Sequence, residues 1–397
     1  MREEKSQTHG EIAKEIGGYV LKWEDLVPGD IVLSRHSFGI GIEKISDVVI
    51  SKIIRTGSNG DYSHAMLYLG QTMVHAHKPG VFSLNPQRIY VSAPDDICVL
   101  RHLSLSDEAR CKIANYARSQ VGTLYSTSEA ITTVILHKTK VPSLTQQQFC
   151  SRLVAQSYLA AGIRLVSNAD YCAPGDFLRS EALDLVPDIT RLANSVDLEI
   201  INSRDFVLEN QSNTFAWLDK AREIAQKDGT HIRSLNDAIY FAMEHPSADR
   251  AIATAIRESG YLNTWCEDDK AHPYRHEEID LFALAQTRHK AFANEVNAII
   301  PSARRFSLEL LFMREISKWS KSETLELHIE LYNSLVRNLG DRAVVMARVL
   351  MLVNRRFYEM LRVGLLCEEI ASGKINHTID ETDQTLSELQ SSFEVFS

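Results

Sequence analysis

Apolar residues alternate along much of the first half of this chain and recur at helical spacing along the second. "VPGDIVLSR" at 27–35 is a Pro-Gly-Asp turn feeding a β-rich run, and "SHAMLYLG" at 63–70 with "TMVHAH" at 72–77 reads as a strand pair. "DICVLRHL" at 96–103 is a further strand. "SDEARCKIANYARSQVG" at 106–122 has a serine cap, an acidic first turn and a closing glycine, so it predicts a helix. "CSRLVAQSYLAAG" at 150–162 places Leu153, Val154, Tyr158 and Ala161 on one face, which predicts a second helix starting near Cys150. Beyond about residue 200, segments such as "SADRAIATAIRESG" and "DRAVVMARVLMLVNRRFYEMLRVGLLCEEI" repeat the helical period between Ser, Gly, Pro and Asp punctuation.

This pattern predicts an α+β protein in five parts. A polar segment spans 1–19, a domain of antiparallel sheet plus helices 20–185, an irregular linker 186–215, a mostly helical domain 216–375 and an acidic tail 376–397. The composition, 44% hydrophobic and 24% charged, is that of a globular protein and excludes wholesale disorder. A formal charge of −9 with no long basic run argues against nucleic acid as a partner. No apolar run reaches the ~18 residues of a membrane span, and the first residues lack the apolar core of a secretory signal, so a cytoplasmic location is expected.

"GDYSHAMLYLGQTMVHAH" at 60–77 holds three of the fourteen histidines. If Gly70-Gln71 is a two-residue turn, Leu69 pairs with Thr72 and Met66 with His75, and His64 falls opposite His77. All three histidines then share one face, whereas a three-residue loop would turn His64 away from the other two. The six cysteines stand singly, with no CxxC pair, which suits a reducing compartment and gives neither a disulfide scaffold nor a zinc ribbon. Cys150 alone begins a clear amphipathic helix, where unpaired N–H groups favour a thiolate. Cys98, Cys111 and Cys367 read as packing residues, and Cys172 and Cys266 lie in loops. Cys266, His272 and His276 have metal-ligand residue types, but the charged, proline-containing stretch between them supplies no fourth ligand. No metal or other cofactor is expected.

The order "PGDIVL", "YSHAMLYLG", "MVHA", "QFCSRLVAQSY" resembles the circularly permuted papain-like cysteine hydrolases of the NlpC superfamily, in particular the YiiX/YebB-type hydrolases, over about residues 20–185. "VGTLYS" and "YCAPGDFLRS" resemble the segments that flank the cysteine helix in that group. The resemblance implies a permuted papain-like fold with Cys150 as nucleophile, His64 as general base and His75 as the third polar residue. His77 is the competing third residue. The implied chemistry is acyl transfer through a thioester, on a peptide, amide or thioester substrate. The Cys150 N–H serves an oxyanion hole, with Gln148 and Tyr62 as candidate second donors.

The group often has glutamate where this chain has His75. A histidine there resembles the lecithin:retinol acyltransferase-like branch, which implies a lipid acyltransferase or thioesterase with an acyl-lipid substrate and either water or another nucleophile as acceptor. A third reading, from a different class, is an idle papain-like domain joined to a helical domain that recruits a protein partner. Retention of His64, Cys150 and a polar third residue favours the enzyme.

Overall fold

The computed structural model describes residues 17–35, 61–125, 148–353, 357–374 and 376–392. Two units divide the chain: one runs to Gln211 and includes Arg233–Asn236, the other holds Ser212–Ile232 and the chain from Asp237 onward. The first carries antiparallel sheets with helices, and the second is helical among its described residues.

In the first unit the strands are β1 (Tyr19–Leu21), β2 (Ile31–Ser34), β3 (His64–Tyr68), β4 (Met73–His77), β5 (Gly80–Leu84), β6 (Tyr90–Val91), β7 (Ile97–His102), β8 (Leu183–Val186) and β9 (Thr190–Leu192). Six form an antiparallel sheet in the order β5-β4-β3-β2-β7-β8, and three form a small sheet in the order β6-β1-β9. Helices α1 (Asp107–Ser119) and α2 (Cys150–Ala160) complete the elements that position the site.

Strand alternation splits the core in two. Ala65, Leu67, Val74 and Ala76 pack with Ile113, Leu153, Val154 and Tyr158 of the two helices. Val32, Met66, Tyr68, Met73 and Val99, of opposite parity, pack with Leu21, Val91 and Ile189 beside the small sheet. Both faces of the central strands are therefore buried, which is why these strands read as nearly continuous apolar runs. The Pro28-Gly29 turn sets where β2 starts. Gly29 has φ +101°, and a Cβ there would meet Leu105 at 2.7 Å. Buried Asp30 accepts from the Val27 N–H at 2.8 Å and pairs with Arg101 at 2.7 Å, while the Tyr158 hydroxyl of α2 donates to the Gly29 carbonyl. The cysteine helix is thus tied to the turn that starts the sheet.

The stretch 186–215 is not the irregular linker that its sequence suggests. It holds β9, which pairs with β1, then α3 (Ser195–Asn202) and the first part of α4 (Phe206–Gln226). Arg88 fixes it, donating to the Ile201 and Arg204 carbonyls and pairing with Asp205. These are tertiary partners that no local pattern announces.

The second unit continues through α5 (Leu235–Glu244), α6 (Pro246–Glu258), α7 (Thr264–Ala271), α8 (Glu278–Thr287), α9 (His289–Ser317), α10 (Glu323–Leu352), α11 (Phe357–Ser372) and α12 (Ile379–Ser392). Ser322 caps α10, and buried Asp249 of α6 completes the cap. Its carboxylate accepts from the Ser322 hydroxyl at 2.8 Å and from the Glu323 and Thr324 N–H groups at 2.7 Å and 3.0 Å. Where α10 meets α11, a Cβ on Gly364 would lie 2.7 Å from Val344, so glycine permits the close approach. The acidic tail is a helix, α12, held by buried Leu386 and Leu389. The polar segment 1–19 lies mostly outside the described residues, as do 393–397. No described helix is long and apolar enough to cross a membrane.

Candidate active site

The two-residue turn forms as the sequence requires, with Gly70 at φ +101° and the Leu69 N–H donating to the Thr72 carbonyl at 2.9 Å. Its register pairs Tyr68 with Met73, Leu67 with Val74 and Met66 with His75, and there the β3–β4 ladder ends. His64 and His77 lie just past that end. The three imidazoles remain close, with ring centroids 5.0 Å apart for His64 and His75, 5.9 Å for His64 and His77, and 6.4 Å for His75 and His77. His64 and His75 are buried, and their Nε2 and Nδ1 atoms are 2.7 Å apart, a short hydrogen bond. His77 is more exposed and meets His64 edge to face. Of the two candidates for third residue, the structure brings His75 to His64.

Cys150 opens α2 behind Phe149, an extended N-cap residue whose side chain cannot accept a hydrogen bond. The first N–H groups of the helix are therefore left for another acceptor. The Cys150 sulfur is buried, and the N–H groups of Ala65, Ser151 and Cys150 itself act on it in favour of the thiolate. Alternation along β3 points the Ala65 N–H toward β4, where no further ladder pair takes it up, so the thiol sits at the point where the two strands part. It reaches the main chain one residue from His64. Among the described residues no hydrogen bond joins the sulfur to either imidazole: Cys150 packs with Ala65, whereas His64 has the parity of Met66 and His75.

Burial controls the protonation of all three groups. It pushes the Cys150 thiol up, and the nearby N–H groups only partly oppose it. The helix start therefore does not by itself give a thiolate, contrary to the reading of its sequence. Burial, reinforced by His75 and His77, holds His64 well below the ordinary histidine range, and burial with His77 brings His75 down to about 3. At rest the thiol and both imidazoles are neutral.

The His64–His75 bond admits two proton arrangements. If His75 Nδ1–H donates, His64 carries its other proton on Nδ1 and cannot act there as a base. If His64 Nε2–H donates, His64 Nδ1 is an open lone pair and His75 is protonated on Nε2. That second arrangement leaves a buried donor, because His75 Nε2 has no hydrogen-bond partner. The Phe82 ring, opposite His75 in the ladder and 4.3 Å away edge to face, is the nearest group that can soften this cost.

Gln148 and Tyr62 are otherwise engaged. The Gln148 amide donates to Gln156 at 2.9 Å and Gln120 at 3.2 Å, and the Tyr62 hydroxyl donates to the Asp95 carbonyl at 3.4 Å beside Cys98. In their place the structure presents the Ala65 and Ser151 N–H groups, which carry no side-chain signal in the sequence. Arg152 and Cys172 also escaped sequence reading. The Arg152 guanidinium lies over the Phe149 ring at 4.5 Å and donates to the Asp170 carbonyl, and Ser151 donates to the Cys172 carbonyl at 2.6 Å. Together these contacts clamp the first turn of α2.

In the Cys266, His272 and His276 segment the histidines face carboxylates, His272 with Asp268 at 3.1 Å and His276 with Asp269 at 2.9 Å. Among the described residues no group of three or more His, Cys, Asp or Glu side chains is arranged to hold a metal ion. Compared with protein-family models and with curated proteins, the chain gives no match to either.

Proposed function

We propose that the first unit is a permuted papain-like cysteine hydrolase in which Cys150 attacks an amide, ester or thioester carbonyl and His64, oriented by His75, carries the proton. The observation that supports this most directly is the meeting of the α2 start with β3. The Ala65 N–H acts on the Cys150 sulfur, and the preceding residue, His64, bonds to a second buried histidine. His64 spends Nε2 on His75, so Nδ1 is the ring nitrogen left to receive the thiol proton. Because thiol and imidazole both rest neutral and no hydrogen bond joins them, the transfer requires the His64 ring to turn from the side it shares with Met66 and His75 toward the Cys150 side of β3 as substrate enters.

In the first step the thiolate forms a C–S bond to the carbonyl carbon while the Cys150 and Ala65 N–H groups face the developing oxyanion. One such donor contributes roughly 3 kcal/mol in other hydrolases. The C–N, C–O or C–S bond of the substrate then breaks, and His64 returns the proton to the leaving group. Water, deprotonated by the same imidazole, cleaves the thioester.

An activated ester tests this without knowledge of the natural substrate. Incubation with 4-nitrophenyl acetate is expected to release nitrophenolate and leave one acetyl group on Cys150, located by peptide mass spectrometry. Acetylation spread evenly over the six cysteines, or unchanged in His64→Ala, would overturn the proposal. The histidine at 75 favours a second reading, acyl transfer to a lipid or amine acceptor. Partition of the acetyl group between water and added alcohol or amine separates the two.

A further inference from the structure

The hairpin of α10 and α11 carries more apolar surface than its packing uses. The two helices run antiparallel: a Cβ on Gly364 of α11 would meet Val344 of α10 at 2.7 Å, and one on Gly340 would meet Cys367 at 3.0 Å. Met360, Val363, Cys367 and Ile370 form the buried face of α11. Tyr358 and Leu365, two turns apart on its opposite face, are 63% and 55% exposed. A helix that is apolar on both faces is ordinarily buried on both. The exposure continues to the end of the hairpin, where Met351 and Leu352 close α10 at 54% and 57% exposed and Phe357 opens α11 at 39%.

The charge of this stretch is opposite to that of the chain. Between Asp341 and Glu368 the sequence holds Arg342, Arg348, Arg355, Arg356 and Arg362 against one carboxylate, Glu359, in a chain of formal charge −9. Arg342 is taken up by Glu295 at 3.0 Å, and Glu359 is half-buried. Arg348, one turn before Met351 and Leu352, and Arg362, one turn beyond Tyr358, are exposed, and among the described residues neither enters an ion pair. Exposed aromatic and aliphatic side chains flanked by such arginines match the boundary of a bilayer, where apolar groups reach the acyl chains and guanidinium groups meet anionic head groups. A second copy of the chain fits this face less well. A two-fold contact would set one arginine-bearing face against another, between two chains that each carry −9.

We propose that the end of the α10–α11 hairpin is a docking surface for an anionic lipid bilayer. Met351, Leu352, Phe357 and Tyr358 enter the head-group boundary, and Arg348 and Arg362 pair with the anionic groups of the lipids. The attachment is peripheral, because no described helix is long and apolar enough to cross a membrane. It stands independently of the role of Cys150.

Co-sedimentation of the full chain with sucrose-loaded vesicles tests the proposal. The chain is expected to bind vesicles of an equal mixture of phosphatidylcholine and phosphatidylserine, and to bind phosphatidylcholine alone about tenfold more weakly, a difference that high salt removes. This comparison uses the parent chain and needs no variant. Arg348→Gln combined with Arg362→Gln is expected to weaken binding to the mixed vesicles about 25-fold, at about fivefold for each arginine near the surface. Leu352→Ser combined with Tyr358→Ser is expected to weaken it about tenfold or more. Trp319→Ser, which removes an 89% exposed aromatic at the other end of α10, is expected to leave it unchanged. Failure to bind the mixed vesicles overturns the proposal, as does binding that both double variants retain in full or that Trp319→Ser weakens as much as they do. A lipid-free dimer in sedimentation equilibrium that Leu352→Ser with Tyr358→Ser dissociates would also overturn it, by placing a second copy on this face.

Discussion

Buried histidines serve different ends in the two units. His328 of the helical unit donates Nδ1–H to a main-chain carbonyl, which is always an acceptor, so its tautomer is fixed. His64 and His75 of the sheet unit bond to each other, so the proton between them can belong to either ring. A histidine tied to the backbone is a structural part with a defined lone pair. A histidine tied to another histidine keeps a choice, and that choice decides whether His64 Nδ1 is a base. The same contrast separates the two helix starts. Asp249 from α6 takes up the N–H groups that begin α10, whereas the Phe149 cap leaves those of α2 to a thiol.

The contrast predicts that side chains at the first site matter to reaction and those at the second to stability. The largest effect is expected for Cys150→Ala, which should abolish acetylation by 4-nitrophenyl acetate while leaving the urea unfolding midpoint close to that of the parent. His64→Ala should slow acetylation by about 10²–10⁴-fold, the range of a lost general base. His75→Asn should slow it less and displace the pH profile, since it removes the ring that selects the His64 tautomer.

Asp249→Ala should reverse the pattern, destabilising the chain by about 2–3 kcal/mol in urea unfolding, because a buried cap with several N–H partners is lost. Its acetylation rate should be unchanged. An equal loss of rate would break the division between the units.

Acidification tests the buried histidines together. His75 titrates at about 3 and His328 at about 4 in the fold, both lowered by burial, against about 6.5 in an unfolded chain. Below about 6.5 the unfolded chain takes up protons that the fold refuses, so their contribution is complete above that pH. It is lost toward the folded values by up to about 1.4 kcal/mol per pH unit for each histidine. Urea unfolding between pH 7.5 and 5 should show this slope, and His328→Gln should flatten it. The smallest effect is expected for His77→Ala, with acetylation within about threefold of the parent, since a half-exposed ring that meets His64 edge to face is a poor orienter. A larger loss would move the third role from His75 to His77.

Much of the local structure around the candidate site was legible because its signals are local. The Gly70-Gln71 turn set the β3–β4 register, and that register placed His75 across from Met66. The helix start at Cys150 followed from apolar spacing and the closing Gly162. Main-chain donors were not legible, since Ala65 looks like any small core residue until its N–H is seen at the end of a ladder. The partners of Gln148 and Tyr62 were not legible either, because a polar residue near a nucleophile in sequence gives no information on which neighbour its side chain finds. The segment 186–215 looked irregular because β9 is three residues long and exists only by pairing with β1.

By itself the sequence determined the α+β division, the hairpin register and the helix start at Cys150, because periodicity, turn chemistry and helix punctuation act over a few residues; the roles of Cys150, His64 and His75 came from the family resemblance. Tertiary structure alone decided the protonation of those groups and the pairing of His64 with His75 over His77. Burial and long-range packing set desolvation and hydrogen-bond partners, and these are properties of residues that sequence keeps far apart.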